Sequence, residues 1–253
     1  MAPTTWPFLA SPVPIAFAHR GGAGDWPENT MAAFEQAIAL GYQYLETDVH
    51  VTADGTAVAF HDDVLDRVTD RRGRIDSLPW SEVSQARVDG HAIPRLEDLL
   101  GTWPEARVNI DPKHDASVEP LVDVVDRTGA HDRVCVTSFS DRRLARFRTL
   151  TGGRVCTGTG PLDIARLRAA GWRVPSGRVS GACAQVPVRY KGIPVVDPRF
   201  LAAAHRRGLP VHVWTVDDPA EIERLLDLGV DGIMTDRPGV LKEVLKRRRE
   251  WVD

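Results

Sequence analysis

The chain has 253 residues, a formal net charge of -3, a pI near 6.2, and 43% apolar against 26% charged residues. That balance belongs to an ordinary globular protein and argues against a nucleic-acid binder, which carries a basic domain or stripe. Cys135, Cys156 and Cys183 are widely spaced with no C-x-x-C, so neither a disulfide framework nor a zinc knuckle is expected. Each reads as a buried reduced thiol.

The opening stretch, Met1 to Pro14, lacks a basic region and is broken by Pro3, Pro7, Pro12 and Pro14, so it does not read as a signal peptide. No apolar run approaches the roughly 18 residues that a membrane span needs. A cytoplasmic protein without stable membrane insertion is the expectation. Trp6, Phe8 and Leu9 read as a cover for one end of the fold.

The first expected strand, Ile15–Ala18, runs into His19-Arg20-Gly21-Gly22, and Gly24 follows. Glycines here would let backbone approach a ligand closely. Thr30–Leu40 is expected to be a helix with Ala33, Phe34, Ala37 and Ile38 on one face, Asn29 as its cap and Gly41 as its stop. The strand Tyr44–Val49 carries Glu46 and Asp48. Asp54-Gly55 then suggests a two-residue hairpin turn. In that register Asp48 lies opposite His61, with Cα atoms ~5 Å apart.

Residues 62–94 break the pattern. This stretch is too long for a plain loop and reads as an insertion over the mouth of the fold, with its arginines Arg67, Arg71, Arg72 and Arg74 solvated. Strands then recur at Val108–Asp111, Val134–Ser138, Arg154–Thr157, Ala182–Val186, Val211–Thr215 and Gly232–Thr235. Helix-period segments lie between them: Ser117–Thr128, Leu144–Leu150, Ile164–Ala170, Phe200–Ala204, the run of Ile222, Leu225 and Leu226, and Val240–Val244. Lys246 to Arg249 suit a helix C-terminus. Eight strand–helix alternations, with no GxGxxG after the first strand, predict an α/β fold closed as a (β/α)8 TIM barrel. It is expected to be a single domain over 1–253.

The chemistry lies at the C-terminal ends of the early strands, where barrel enzymes place their sites. Glu46 and Asp48 share one face ~7 Å apart, a costly arrangement unless a cation lies between them. Asp111-Pro112-Lys113 adds a third carboxylate and an ammonium group. Hard oxygen donors without cysteine favour Ca²⁺ or Mg²⁺. Arg20 offers a fork suited to phosphate oxygens, and His19 and His61 can both move protons near neutral pH.

His19-Arg20-Gly21-Gly22, Pro27-Glu28-Asn29-Thr30, Glu46-Thr47-Asp48-Val49, Thr52-Ala53-Asp54-Gly55, Phe60-His61-Asp62, Pro94-Arg95-Leu96-Glu97, Val213-Trp214-Thr215-Val216 and Gly229-Val230-Asp231-Gly232 through Thr235-Asp236-Arg237-Pro238 together resemble the glycerophosphodiester phosphodiesterases. The resemblance extends over residues 15–241. It implies His19 and His61 as the acid/base pair, Glu46, Asp48 and Asp111 as metal ligands, and Arg20 and Lys113 as a phosphate clamp. Trp214 and Phe139 are implied more weakly, on the glycerol side. It also implies a small-molecule glycerophosphodiester substrate, a divalent cofactor (Ca²⁺ or Mg²⁺), and attack by the substrate's own glycerol 2-hydroxyl. Asp111 departs from the family's usual Glu-x-Lys, which bears on metal affinity and identity. Lipid-directed phosphodiesterases of lysophospholipase-D or phospholipase-C type, and a silent metal- or phosphate-binding barrel, are the alternatives.

Overall fold

The computed structural model describes residues 6–252; the expectation for the opening stretch therefore lies partly outside the described residues. Eight strands form the barrel wall: β1 Ile15–Ala18, β2 Tyr44–Val51, β3 Arg107–Pro112, β4 Val134–Val136, β5 Cys156–Thr157, β6 Ala184–Pro187, β7 Val211–Trp214 and β8 Gly232–Thr235. Strands β1 to β5 pair in parallel in chain order, as do β6 to β8, and β1 pairs with β8. Between β5 and β6 a bridge from Gly158 to Cys183 closes the ring. Its hydrogen bonds run from Ala182 N to Thr157 O and from Thr159 N to Cys183 O, both 2.8 Å. The expected barrel is thus present.

Eight helices follow the strands: α1 Met31–Ala39, α2 Leu96–Thr102, α3 Val118–Arg127, α4 Asp141–Leu150, α5 Pro161–Gly171, α6 Pro198–His205, α7 Pro219–Leu228 and α8 Pro238–Arg248. Their apolar stripes pack on the barrel, as in α3, where Val118, Leu121, Val122, Val124 and Val125 are all buried. Side-chain caps start several of them. Ser140 accepts from Arg143 N, Asp197 from Phe200 N and Asp218 from Glu221 N. The N-terminal end of the barrel is plugged as expected: Phe8 and Leu9 are buried against Phe17, Tyr44 and Met234, with Trp6 beside them. Cys135, Cys156 and Cys183 join the same cluster as free thiols.

The segment 62–94 has its own small core. Leu65, Ile75, Val83, Ala86, Val88 and Ile93 pack with Val58 and Phe60. A short helix, Trp80–Val83, and a two-stranded ribbon, Arg87–Val88 with His91–Ala92, supply its regular structure. Short strand Ala57–Ala59 pairs antiparallel with the end of β2 and leads into it.

Three local expectations are corrected. The hairpin pairs Val49 with Ala59, so Asp48 faces Phe60, whose N donates to Asp48 O at 3.0 Å; His61 is one place further on. A two-residue turn with Asp54-Gly55 at its centre would need positive φ at both, and only Gly55 has it, at 88°. The loop therefore takes three residues, Ala53 to Gly55, closed by Thr52 N to Thr56 O. Second, Thr30 rather than Asn29 caps α1, accepting from Ala33 N at 3.2 Å. Third, the glycines after β1 make room for protein, not for ligand. A Cβ on Gly21 (φ 82°) would meet Ala33 Cβ at 2.8 Å, so this turn is the seat on which α1 packs.

Candidate active site

A cavity of about 610 Å³ opens at the C-terminal ends of the strands. All nine residues expected to act there line it: His19, Arg20, Glu46, Asp48, His61, Asp111, Lys113, Phe139 and Trp214. His61 reaches the cavity even in the observed register, because the chain leaves the strand at Ala59 and His61 is carried to the rim. There its carbonyl is held by His50 Nε2 at 3.0 Å.

Both histidines are oriented by carboxylates. His19 Nδ1 lies 2.6 Å from Asp236 Oδ1, and His61 Nδ1 lies 2.5 Å from Asp62 Oδ1. Carboxylates only accept, so in each ring Nδ1 carries the proton and Nε2 is the nitrogen left for other chemistry. His19 Nε2 is 3.7 Å from Glu46 Oε2. Burial disfavours the charged His19 ring, but Glu46 and Asp236 outweigh it and raise the pKa above the ordinary histidine value. Asp62 is in turn gripped by Arg67, whose hydrogen bond is the main cause that lowers its carboxyl to about 2. Arg67 also reaches both oxygens of Glu28, so this arginine of the insertion braces the site rather than lying solvated.

The backbone at Arg20 is left-handed, with φ 51° and ψ 30°, and its N–H donates to Glu46 Oε2 at 3.1 Å. Its Nε approaches Asp48 Oδ2 at 3.0 Å but is out of line for a hydrogen bond. Lys113 Nζ bridges Asp48 Oδ1 at 2.5 Å and Asp111 Oδ2 at 2.8 Å. Asn29, freed from capping, donates to Asp48 Oδ2 and accepts from Thr47 Oγ1.

Charge is unevenly settled among the three carboxylates. Burial pushes Glu46 up to about 7, against the pull of His19. Burial opposes ionisation of Asp48 too, but Lys113 and Arg20 hold its carboxyl below the usual range. Asp111 is raised by burial despite Lys113. For Lys113 itself, Asp111 and Asp48 outweigh burial and keep the ammonium firmly charged. One oxygen, Asp111 Oδ1, is buried with no hydrogen-bond partner. A hard oxygen set with an orphaned acceptor and a carboxyl short of counter-charge fits a divalent cation. Among the described residues, however, Glu46, Asp48 and Asp111 do not bring oxygens within 4.8 Å of one another as a set.

The family model of the glycerophosphoryl diester phosphodiesterase family matches residues 19–240. The chain belongs to this family. The phosphodiesterase it resembles in Mycobacterium tuberculosis, "Probable glycerophosphodiester phosphodiesterase 2", is 44% identical over 261 residues, covering 99% of this chain and 97% of that protein. "Lysophospholipase D GDPD1" of Rattus norvegicus is 28% identical, over 90% of this chain and 85% of its own. Among solved structures, an Oleispira antarctica phosphodiesterase in complex with the product sn-glycerol-3-phosphate superposes with a TM-score of 0.78 at 23% identity, over 92% of this chain and 97% of that one. The chain is thus an enzyme of the phosphodiesterase family, built on the family's barrel.

Several polar groups at this candidate site have no role assigned from the sequence. Asp236 follows β8 at its C-terminal end, the position that drew attention to Asp111, and could have been found by the same rule. Its N–H donates to Asp217 Oδ1 at 2.7 Å, which fixes the turn that presents its carboxylate. Gln185 and Asn109 form part of the cavity wall, Gln185 Nε2 donating to Asn109 Oδ1 at 2.9 Å. Asn109 has the parity of Asp111 on β3, whereas nothing in the apolar run around Gln185 marked it.

Proposed function

We propose that this phosphodiesterase hydrolyses glycerophosphodiesters to glycerol 3-phosphate and an alcohol, with His19 and His61 as the proton-moving pair. The observation that carries this is the gathering, in one cavity, of two carboxylate-oriented imidazoles with Arg20, Lys113 and three carboxylates. Asp236 and Asp62 hold the rings with Nδ1 protonated, so each Nε2 can take or give a proton at the substrate. One removes the proton of the attacking hydroxyl while the other protonates the departing alcohol, and the roles reverse when water completes hydrolysis. By the family resemblance the attacker is the glycerol 2-hydroxyl.

Arg20 and Lys113 supply positive charge to the non-bridging phosphoryl oxygens, where charge builds in the transition state. Lys113 is already anchored by two carboxylates, so its placement costs little reorganisation. Glu46, Asp48 and Asp111 would hold a divalent cation, Ca²⁺ or Mg²⁺, which when bound polarises a phosphoryl oxygen and lowers the pKa of the attacking hydroxyl. Trp214 and Phe139 meet edge to face with ring centroids 5.6 Å apart and form an aromatic wall for the organic part of the substrate.

That wall favours a second reading. Phe139, Tyr190 and Ile193 line the cavity while remaining more than half exposed, and Ile164, Pro194 and Val195 extend the apolar surface. A lysophospholipid could lay its acyl chain there, an activity of the kind named for the rat relative. The deciding experiment measures choline release from glycerophosphocholine and from 1-acyl lysophosphatidylcholine. The first reading expects the former to have the higher kcat/KM. His19→Ala and His61→Ala should each abolish most turnover with folding intact. Near-native activity in either variant would remove that histidine from the mechanism.

A further inference from the structure

A second group of ligand-type side chains lies outside the cavity. His50 at the end of β2, Asp63 at the start of the insertion and His114 just after β3 each place a ligand atom within 4.8 Å of the others. We infer that these three residues form a separate binding site for a borderline divalent transition cation of the Zn²⁺ class. Two imidazoles and one carboxylate are the donors such ions favour, whereas Ca²⁺ and Mg²⁺ favour oxygen alone.

Three features support the assignment. His50 Nε2 is 3.0 Å from the carbonyl oxygen of His61. A carbonyl only accepts, so Nε2 carries the ring proton and Nδ1 presents a lone pair. Metal-ligating histidines are characteristically held in this way, donating their second ring N–H to a carbonyl or carboxylate. Next, His114 Nε2 lies 2.9 Å from Asp63 Oδ1. Two ligands of one tetrahedral Zn²⁺ sit about 3.3 Å apart, so these two need part by only a few tenths of an ångström to hold an ion in place of the shared proton. Finally, the site has an open side: the side chains of His114 and Asp63 are 40% and 50% exposed, while His50 is buried beneath them. An ion can enter from solvent and keep water as its fourth ligand. Arg74 Nη1 lies 4.0 Å from the other oxygen, Asp63 Oδ2, which leaves Oδ1 to the site.

The site would tie three parts of the fold together. Asp63 O also accepts from Ile75 N, so an ion held by Asp63 fastens the insertion to the ends of β2 and β3. Through the ring of His50 it would also steady the backbone of His61. None of its ligands lines the cavity, so the site is distinct from the one proposed above.

The test uses the full, tag-free chain stripped of metal. Zn²⁺ is titrated calorimetrically and Co²⁺ by visible absorption, whose intensity reports coordination by few ligands including nitrogen. The expected result is one Zn²⁺ per chain and a Co²⁺ band, with affinity at least roughly tenfold weaker in His114→Ala and Asp63→Asn. Both side chains are exposed enough for these variants to fold, which a thermal melt without metal verifies. Glu46→Gln should keep this equivalent of Zn²⁺. Equal uptake by wild type and His114→Ala, no uptake by wild type, or loss in Glu46→Gln but not in His114→Ala would each overturn the assignment.

Discussion

Replacing Asp236 with asparagine should strip His19 of its charged partner while leaving side-chain size unchanged. The contact is 2.6 Å from ring nitrogen to carboxylate oxygen. Such charge-assisted hydrogen bonds are worth about 1.5–3 kcal/mol. If that stabilisation is realised as His19 gains a proton during the reaction, its loss lowers kcat roughly ten- to 150-fold, at 1.36 kcal/mol per decade. The asparagine amide could also turn its NH₂ toward Nδ1, which favours the wrong tautomer and pushes the loss toward the upper bound. Asp236 does not line the cavity, so KM should change little. The backbone of the turn is held by Asp217 and by Gly24 N to Asp236 O at 2.9 Å, neither of which the substitution removes. Steady-state choline release from glycerophosphocholine gives kcat and KM separately, and a thermal melt checks the fold. A kcat within twofold of wild type, or a rise in KM that accounts for the whole loss, would refute the orienting role of Asp236.

Three further outcomes follow from other parts of the structure. Gly181 sits where the barrel closes, and a Cβ there would meet Thr159 N at 2.5 Å and Gly158 C at 2.6 Å. Because both are backbone atoms that cannot swing aside, Gly181→Ala should destabilise by about 1–3 kcal/mol, seen as a lower Tm in calorimetry; an unchanged Tm would mean that the seam is looser than described. Asp62 is held at about 2 by Arg67, below the ~3.9 of a free aspartate. Its depressed value contributes stability above the unfolded value that is lost as pH falls through about 2, so the Tm gap between wild type and Asp62→Asn should be full at pH 6 and shrink toward pH 2. A gap independent of pH would deny the Arg67 pairing. Removal of divalent metal with a chelator should stop turnover, and Ca²⁺ or Mg²⁺ should restore it; an unaffected rate would take the cation out of the mechanism.

Much of this protein was open to reading along the chain because its information is local. The period of apolar residues marks helix against strand, and eight alternations of the two leave few ways to bury every face other than a closed barrel. Glu46 and Asp48 share a face because strand side chains alternate, whatever the rest of the fold does. The hairpin shows the limit of such reasoning. Asp54-Gly55 correctly marks a bend, but the choice between two and three loop residues rests on the φ of Asp54. That residue's carboxylate accepts from Thr52 Oγ1 at 2.5 Å and from Trp80 N at 3.0 Å, the latter in the distant insertion. Arg67 was likewise opaque: a cation in a run of arginines looks solvated until Glu28 and Asp62 arrive beside it.

By itself, then, the amino-acid order marked the strands and helices of the barrel and the polar residue types gathered near the ends of its early strands, since these depend on neighbours a few positions away. Only the folded barrel decided that His19 finds Asp236, 217 positions along the chain, and that Lys113 spans Asp48 and Asp111 while one Asp111 oxygen stays without a partner. It also brought His50, Asp63 and His114 together. The physical reason is that ring closure sets β1 beside β8 and one strand's pleat against the next. Which polar groups meet, and which are stranded, follows from that register and not from any spacing along the chain.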